Sequence, residues 1–230
     1  MAFSNRERRT TNAKRETRNG FLMTCSRKFE RKLLASGSRW IAGTDEVGRG
    51  AVAGPVVAAA VILNLNDVPK GVNDSKKLTR LQRERLAVEI ERRAVAFSVT
   101  RVEHGDIDRI NILQASLLAM ERAVKALQQP ADYVLIDGRQ RLPHLECPQL
   151  AIVKGDGLSV SIAAASIIAK VARDRWMKEY DVQYPGYGFA SHAGYNTRVH
   201  QEAIARLGPS AIHRMTFHGV LAHQASLFVD

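Results

Sequence analysis

Between two apolar segments the chain carries Asp45-Glu46-Val47-Gly48-Arg49-Gly50, and this run limits the folds open to it. Upstream, Trp40-Ile41-Ala42-Gly43 reads as a short strand. Downstream, residues 52–63 (VAGPVVAAAVIL) are almost wholly apolar and read as one buried strand or two, with Gly54-Pro55 as a bend. Two carboxylates therefore stand where a buried strand ends and a glycine turn begins. A buried, unpaired carboxylate is costly, and two adjacent ones repel. A divalent cation removes both penalties. The glycines free the backbone for close approach to another molecule, and Arg49 supplies a fixed positive charge. Two other readings fit the same residues. An Asp-Glu pair before glycine also makes a plain polar turn. Gly48, Gly50 and Gly54 approach the G-x-G-x-x-G pattern, but that pattern needs a following helix, and Pro55-Val56-Val57 suits a strand.

The rest of the chain alternates strand and helix patterns. After the polar loop at residues 70–78, Thr79 and Gln82 form a capping box ahead of a helix with Leu81, Leu86, Ile90 and Val95 on one side. Residues 96–102 read as a strand, with Asp106 or Asp108 as the cap of the next helix. Ile110, Leu113, Leu117, Met120, Val124 and Leu127 recur at steps of three and four, an amphipathic stripe that ends at Pro130. Tyr133 to Ile136 is a short buried strand that ends in Asp137-Gly138. Leu150 to Val153 is another, followed by Lys154-Gly155-Asp156-Gly157. Ser159 to about Tyr180 reads as one long helix whose Ala163, Ala164, Ala165 and Ala169 allow close packing on a sheet. A Gly/Tyr-rich loop spans 185–197, a helix spans 197–207, and a last short helix is expected at 219–228. The fold class is α/β.

Three strand-end turns thus deliver acid beside glycine: Asp45-Glu46, Asp137-Gly138 and Gly155-Asp156-Gly157. Strand ends are the recurrent place for sites in open α/β sheets. Hard divalent cations want oxygen ligands, and the sequence has no His/Cys cluster for zinc. The charge points to the partner. The 230 residues carry a net charge of +11, of which residues 1–39 contribute +8, with 11 Lys/Arg against 3 Asp/Glu. Such an excess suits a polyanion, usually nucleic acid. The opening stretch to about Gly20 reads as a disordered basic arm that adds salt-dependent affinity for a phosphate backbone. A solubilising tail and an organelle transit peptide are alternatives, the latter opposed by Glu7 and Glu16. Two cysteines, Cys25 and Cys147, have no motif spacing. No apolar run is long enough for a secretory signal or a membrane span, so a cytoplasmic setting is expected.

The order of these motifs resembles the bacterial ribonuclease HII family, the type 2 ribonucleases H. The matching stretches are 43–50 (GTDEVGRG), 73–78 (NDSKKL), 134–138 (VLIDG), 153–156 (VKGD), 161–171 (SIAAASIIAKV), 187–189 (YGF), 192–195 (HAGY) and His213-Arg214. They run in order from about Trp40 to near residue 220, with residues 1–39 outside. The resemblance implies a ribonuclease H-like fold, a mixed central sheet flanked by helices, with a small C-terminal helical appendage. It divides the chain into a basic, largely disordered extension (1–39), a catalytic domain (40–183) and a C-terminal loop and helical substrate-binding module (184–230). It also implies a monomeric endonuclease that cuts RNA/DNA hybrids and single ribonucleotides embedded in duplex DNA, leaving 5′-phosphate and 3′-hydroxyl ends.

By that resemblance Asp45, Glu46, Asp137 and Asp156 hold two Mn²⁺ or Mg²⁺ ions. Gly48, Arg49 and Gly50 meet the 2′-hydroxyl, Tyr195 stacks on the sugar at the RNA–DNA junction, and Ser75, Lys76, Lys77 and Arg214 contact substrate, the basic ones at phosphates. Asp174 competes with Asp156 for the fourth place. A continuous helix from Ser159 puts Asp174 roughly 22 Å along the axis, too far for ions about 4 Å apart. Asp174 is instead flanked by Lys170 and Lys178 at helix ion-pair spacing. A catalytically silent nucleic-acid binder has no use for four clustered acids, and a phosphotransferase lacks its phosphate-cradling loop.

Overall fold

The computed structural model describes residues 25–221. The expected basic arm before residue 25 and most of the expected helix at 219–228 lie outside them. Five strands form one mixed sheet in the order β3-β2-β1-β4-β5. Here β1 is Ile41–Val47, β2 Val56–Ile62, β3 Ala96–Val102, β4 Tyr133–Asp137 and β5 Gln149–Ile152. β1 pairs antiparallel with β2 and parallel with β4; β2 and β3 are antiparallel, β4 and β5 parallel. β2 is buried along its whole length, as its apolar run requires. Its alternate residues separate two cores. Val56, Ala58, Ala60 and Ile62 face helix α4 (Ile112–Lys125), while Val57, Ala59 and Val61 face α2 (Arg80–Arg93) and α5 (Val160–Gln183).

α5 lies across β1 at very short range. A Cβ on Gly43 would stand 2.2 Å from the Ser161 carbonyl carbon, so only glycine admits the helix there. The buried alanines of α5 continue this close approach. Thr79 and Gln82 form the reciprocal cap of α2.

Two elements depart from the sequence reading. The stripe from Ile110 is not one helix. α3 (His104–Ile110) ends at Asn111, whose φ of 65° breaks the rod and whose side chain accepts from Leu113 and Gln114 N–H to start α4. Neither Asp106 nor Asp108 is the N-cap of α3; that position is Glu103, and Asp108 instead accepts from the backbone N–H of Met215 and Thr216. Residues 28–35, inside the stretch expected to be largely disordered, form helix α1 (Lys28–Ala35). Phe29 and Leu33 pack with Ile41, Leu135, Ile152 and Ile162. The fully buried Glu30 accepts from Ser159 Oγ and, at 3.0 Å, from Ser161 N–H, so α1 caps the start of α5. Short helix α6 (Phe189–His192) and α7 (Arg198–Leu207) complete the described chain. Among the described residues no helix is long and apolar enough to cross a membrane.

Candidate active site

The parallel pair β1 and β4 ends on one sheet edge, carrying Asp45 and Glu46 on β1 and Asp137 at the end of β4. The turn after β5 brings Asp156 to the same edge. Asp45 and Asp156 are buried, and Glu46 and Asp137 half-buried. Burial pushes the Asp45 carboxyl well above the ordinary carboxylate range, and the charges of Glu46, Asp137 and Asp156 push the same way; a hydrogen bond from Ser166 opposes them. Burial likewise raises Glu46, against the pull of Arg49, and burial with the charge of Asp156 raises Asp137.

Local partners hold these groups apart. Arg49 Nη1 donates to Glu46 Oε1 at 3.0 Å, Lys76 Nζ to Asp156 Oδ2 at 3.1 Å, and Gly155 N–H to Asp137 Oδ1 at 2.6 Å. Among the described residues no three acidic, His or Cys side chains already converge as a metal cage. The donor set is nevertheless what a hard cation takes: carboxylate oxygens on rigid strand ends, raised in free energy by mutual repulsion. One oxygen, Glu46 Oε2, is buried without a hydrogen-bond partner. The four carboxylates thus fit a divalent cation.

Asp174 stands elsewhere. It is salt-bridged along α5 to Lys170 at 2.6 Å, and does not join the carboxylate edge.

A cleft of about 310 Å³ opens over three of the acids, lined by Asp45, Glu46, Gly48, Arg49, Gly50, Ser75, Lys76, Asp137 and Tyr195; Asp156 lies outside the lining and is joined to it through Lys76. Arg83, Ser166 and Lys170 line it too, and the sequence reading did not assign them. Ser166 and Lys170 share one face of α5 at i, i+4 spacing, the signal that could have found them. Ser75 is buried, its Oγ 2.9 Å from Ser166 Oγ, so it braces the 3₁₀ turn of Ser75–Lys77 rather than facing solvent. Lys77 is exposed on that turn but lies outside the cleft lining.

Arg214 corrects the sequence reading most clearly. Expected as a phosphate contact, it is fully buried. Its Nε donates to Gly54 O at 2.9 Å and its Nη1 to Arg49 O at 3.0 Å. It braces the glycine loop from behind. The fold explains why. The stretch at 51–54 runs between two C-terminal segments, with Ala51 bridged to Tyr195 and Ala53 to His213. Arg214 follows directly on that seam. Tyr195 is half-buried over the loop, its ring edge 4.0 Å from where a Cβ on Gly50 would be. The glycine loop and the tyrosine therefore stand side by side in the lining of one cleft, next to Asp45, Glu46 and Asp137.

Comparison with known proteins shows the family and the fold. The profile of the family described as Ribonuclease HII matches residues 42–220. The Ribonuclease HII of Geobacter sulfurreducens is 57% identical over 195 residues, covering 85% of this chain and 89% of that protein. That of Agrobacterium fabrum is 54% identical over 189 residues, covering 82% and 87%. Among solved structures, the ribonuclease H2 of Pyrococcus horikoshii superposes with a TM-score of 0.70 at 26% identity, covering 84% of this chain and all of that one.

Proposed function

The chain belongs to the ribonuclease HII family, hydrolases that act as nucleases, and on that premise we propose that it cuts RNA/DNA hybrids and single ribonucleotides embedded in duplex DNA, on the 5′ side of the phosphate that becomes a 5′ end. The observation that carries this reading is the cleft itself: Asp45, Glu46 and Asp137 line it together with the Gly48-Arg49-Gly50 loop and Tyr195, and Asp156 stands beside them, its charge acting on Asp45 and Asp137. Asp45, Glu46, Asp137 and Asp156 would hold two Mg²⁺ or Mn²⁺ ions, which when bound activate a water and stabilise the leaving 3′ oxygen. Water adds to phosphorus, the P–O3′ bond breaks, and a 5′-phosphate and a 3′-hydroxyl remain.

The protein's own groups do the selecting. A 2′-hydroxyl is both donor and acceptor, and it marks ribose against deoxyribose. The backbone of Gly48, Arg49 and Gly50 can reach it because two of the three residues lack a side chain. Tyr195 stacks on the neighbouring sugar and fixes the junction. Lys76 neutralises Asp156 in the free protein; its side chain is 81% exposed, so it can turn to a substrate phosphate once Asp156 has another cation. Lys77, exposed on the neighbouring turn outside the cleft, adds positive charge for the flanking phosphates.

The test is a labelled duplex carrying one ribonucleotide, incubated with and without Mg²⁺ or Mn²⁺. Metal-dependent cleavage to 3′-hydroxyl and 5′-phosphate ends is expected. An all-DNA control that is cut equally well, or cleavage that persists in chelator, contradicts the reading.

A further inference from the structure

The proposed substrate cleft has two walls that come from distant parts of the chain, Gly48–Gly50 and Tyr195. One buried side chain touches both. Arg173, on α5, is fully buried. Its three hydrogen bonds all go to backbone carbonyls: Nε to Pro55 O at 3.0 Å, Nη2 to Ala53 O at 3.2 Å and Nη1 to Ala193 O at 2.8 Å. The first two lie just after the glycine loop, the third two residues before Tyr195. The guanidinium carbon sits 5.5 Å from the centroid of the Tyr195 ring. Gly48 has φ +93°, and a Cβ there would stand 2.2 Å from Arg173 Nε, so the loop lies directly on the guanidinium.

Knitting two loops together does not by itself call for arginine. Burying a guanidinium is costly, and apolar side chains of similar volume often pack such a seam at less expense. What an apolar residue cannot do is donate to three carbonyls from two loops in one plane while presenting positive charge to a ring. We propose that Arg173 is a positioning residue that fixes Tyr195 and the Gly48–Gly50 loop relative to one another in the cleft, so that preference for an isolated ribonucleotide depends on a side chain that never touches substrate. This rests on the reading of those two walls as substrate contacts.

The test compares wild type, Arg173→Lys, Tyr195→Ala and the double variant on two substrates, a duplex with one embedded ribonucleotide and a continuous RNA/DNA hybrid. Thermal melts check folding. The protein is also labelled with fluorotyrosine, and the Tyr195 resonance is assigned through Tyr195→Phe. Arg173→Lys keeps the charge but not the planar fork. It is expected to shift or broaden the Tyr195 signal and to lower kcat on the single ribonucleotide about tenfold, because a single ammonium cannot hold the Pro55, Ala53 and Ala193 carbonyls at once. The hybrid should be affected less, and KM little on either substrate. The double variant should be no worse than Tyr195→Ala alone, since both act at one place. If Tyr195→Ala lowers the preference but Arg173→Lys leaves both signal and preference unchanged, the coupling is overturned while the substrate reading stands. If Tyr195→Ala leaves the preference unchanged, the substrate reading fails and this inference with it. Should Arg173→Lys not fold, Gly48→Ala presses on the same guanidinium from the other side, and an unaltered Tyr195 signal in that variant overturns the proposal.

Discussion

Two histidines beneath the C-terminal loops show how much a single hydrogen-bond direction decides. His200 and His213 are buried, with Nε2 atoms 3.1 Å apart. His213 Nδ1 accepts from Ser210 N–H at 2.8 Å, so its proton sits on Nε2 and points at His200. His200 must then accept on Nε2 and donate from Nδ1 to Tyr195 O at 2.9 Å. The chain of bonds closes only with both rings neutral, and adding a proton sets N–H against N–H. Burial pushes both imidazoles down to about 4, and the two rings' proximity adds to the shift at His213. The unfolded chain takes up protons at about 6.5, where the folded one does not. The stability these rings contribute is therefore present above about pH 6.5 and is lost as pH falls towards 4. Melting temperature should drop across that window, and both imidazoles should keep neutral ¹⁵N signatures at about pH 5.5. Rings that titrate near 6.5 in the folded protein contradict the assigned network.

At the scale of elements, the parts that the sequence announces are those with a period. β2 is a continuous apolar run, α5 a small-residue face, and α2 a capping box, and each stands where its pattern predicts. α1 has no such voice. Its apolar content is Phe29, Leu33, Leu34 and Ala35 among basic residues, which composition alone assigns to a solvated arm. Only Phe29 and Leu33, at i, i+4 spacing, record that it has a buried face. The break at Asn111 was equally hidden, because the apolar spacing continues through it while the backbone does not. α1 has a measurable consequence. Deleting residues 2–24 and deleting residues 2–38 should give different proteins. The longer deletion removes two large side chains from the cluster under β1 and the carboxylate that caps α5, together worth about 3 kcal/mol, or a fall of roughly 10 °C in melting temperature. Equal melting of the two truncations would show that α1 does not hold the end of the helix that follows Asp156.

For the whole molecule, the sheet and its two cores build one acidic edge, and the C-terminal segments bring a tyrosine over it. The acids were legible because charge beside glycine at a buried strand end is conspicuous. The braces were not: Arg214 was expected at a phosphate and Arg173 drew no expectation, and only the crossing of 51–54 between the two C-terminal segments shows why both are buried. The central claim is that Asp45, Glu46, Asp137 and Asp156 act as one set, with Asp174 outside it. The most direct measurement is the single-turnover cleavage rate of a duplex bearing one ribonucleotide, across a Mg²⁺ titration, for wild type, Asp45→Asn, Asp156→Asn and Asp174→Asn. Asp45→Asn and Asp156→Asn should lose at least about a hundredfold, equivalent to about 2.7 kcal/mol of barrier. Asp45→Asn should also melt higher than wild type without metal, because the substitution relieves the repulsion at the edge. Asp174→Asn should lose much less, having given up only a helix ion pair. Wild-type rates for Asp156→Asn, or a dead Asp174→Asn beside an active Asp156→Asn, would contradict the account.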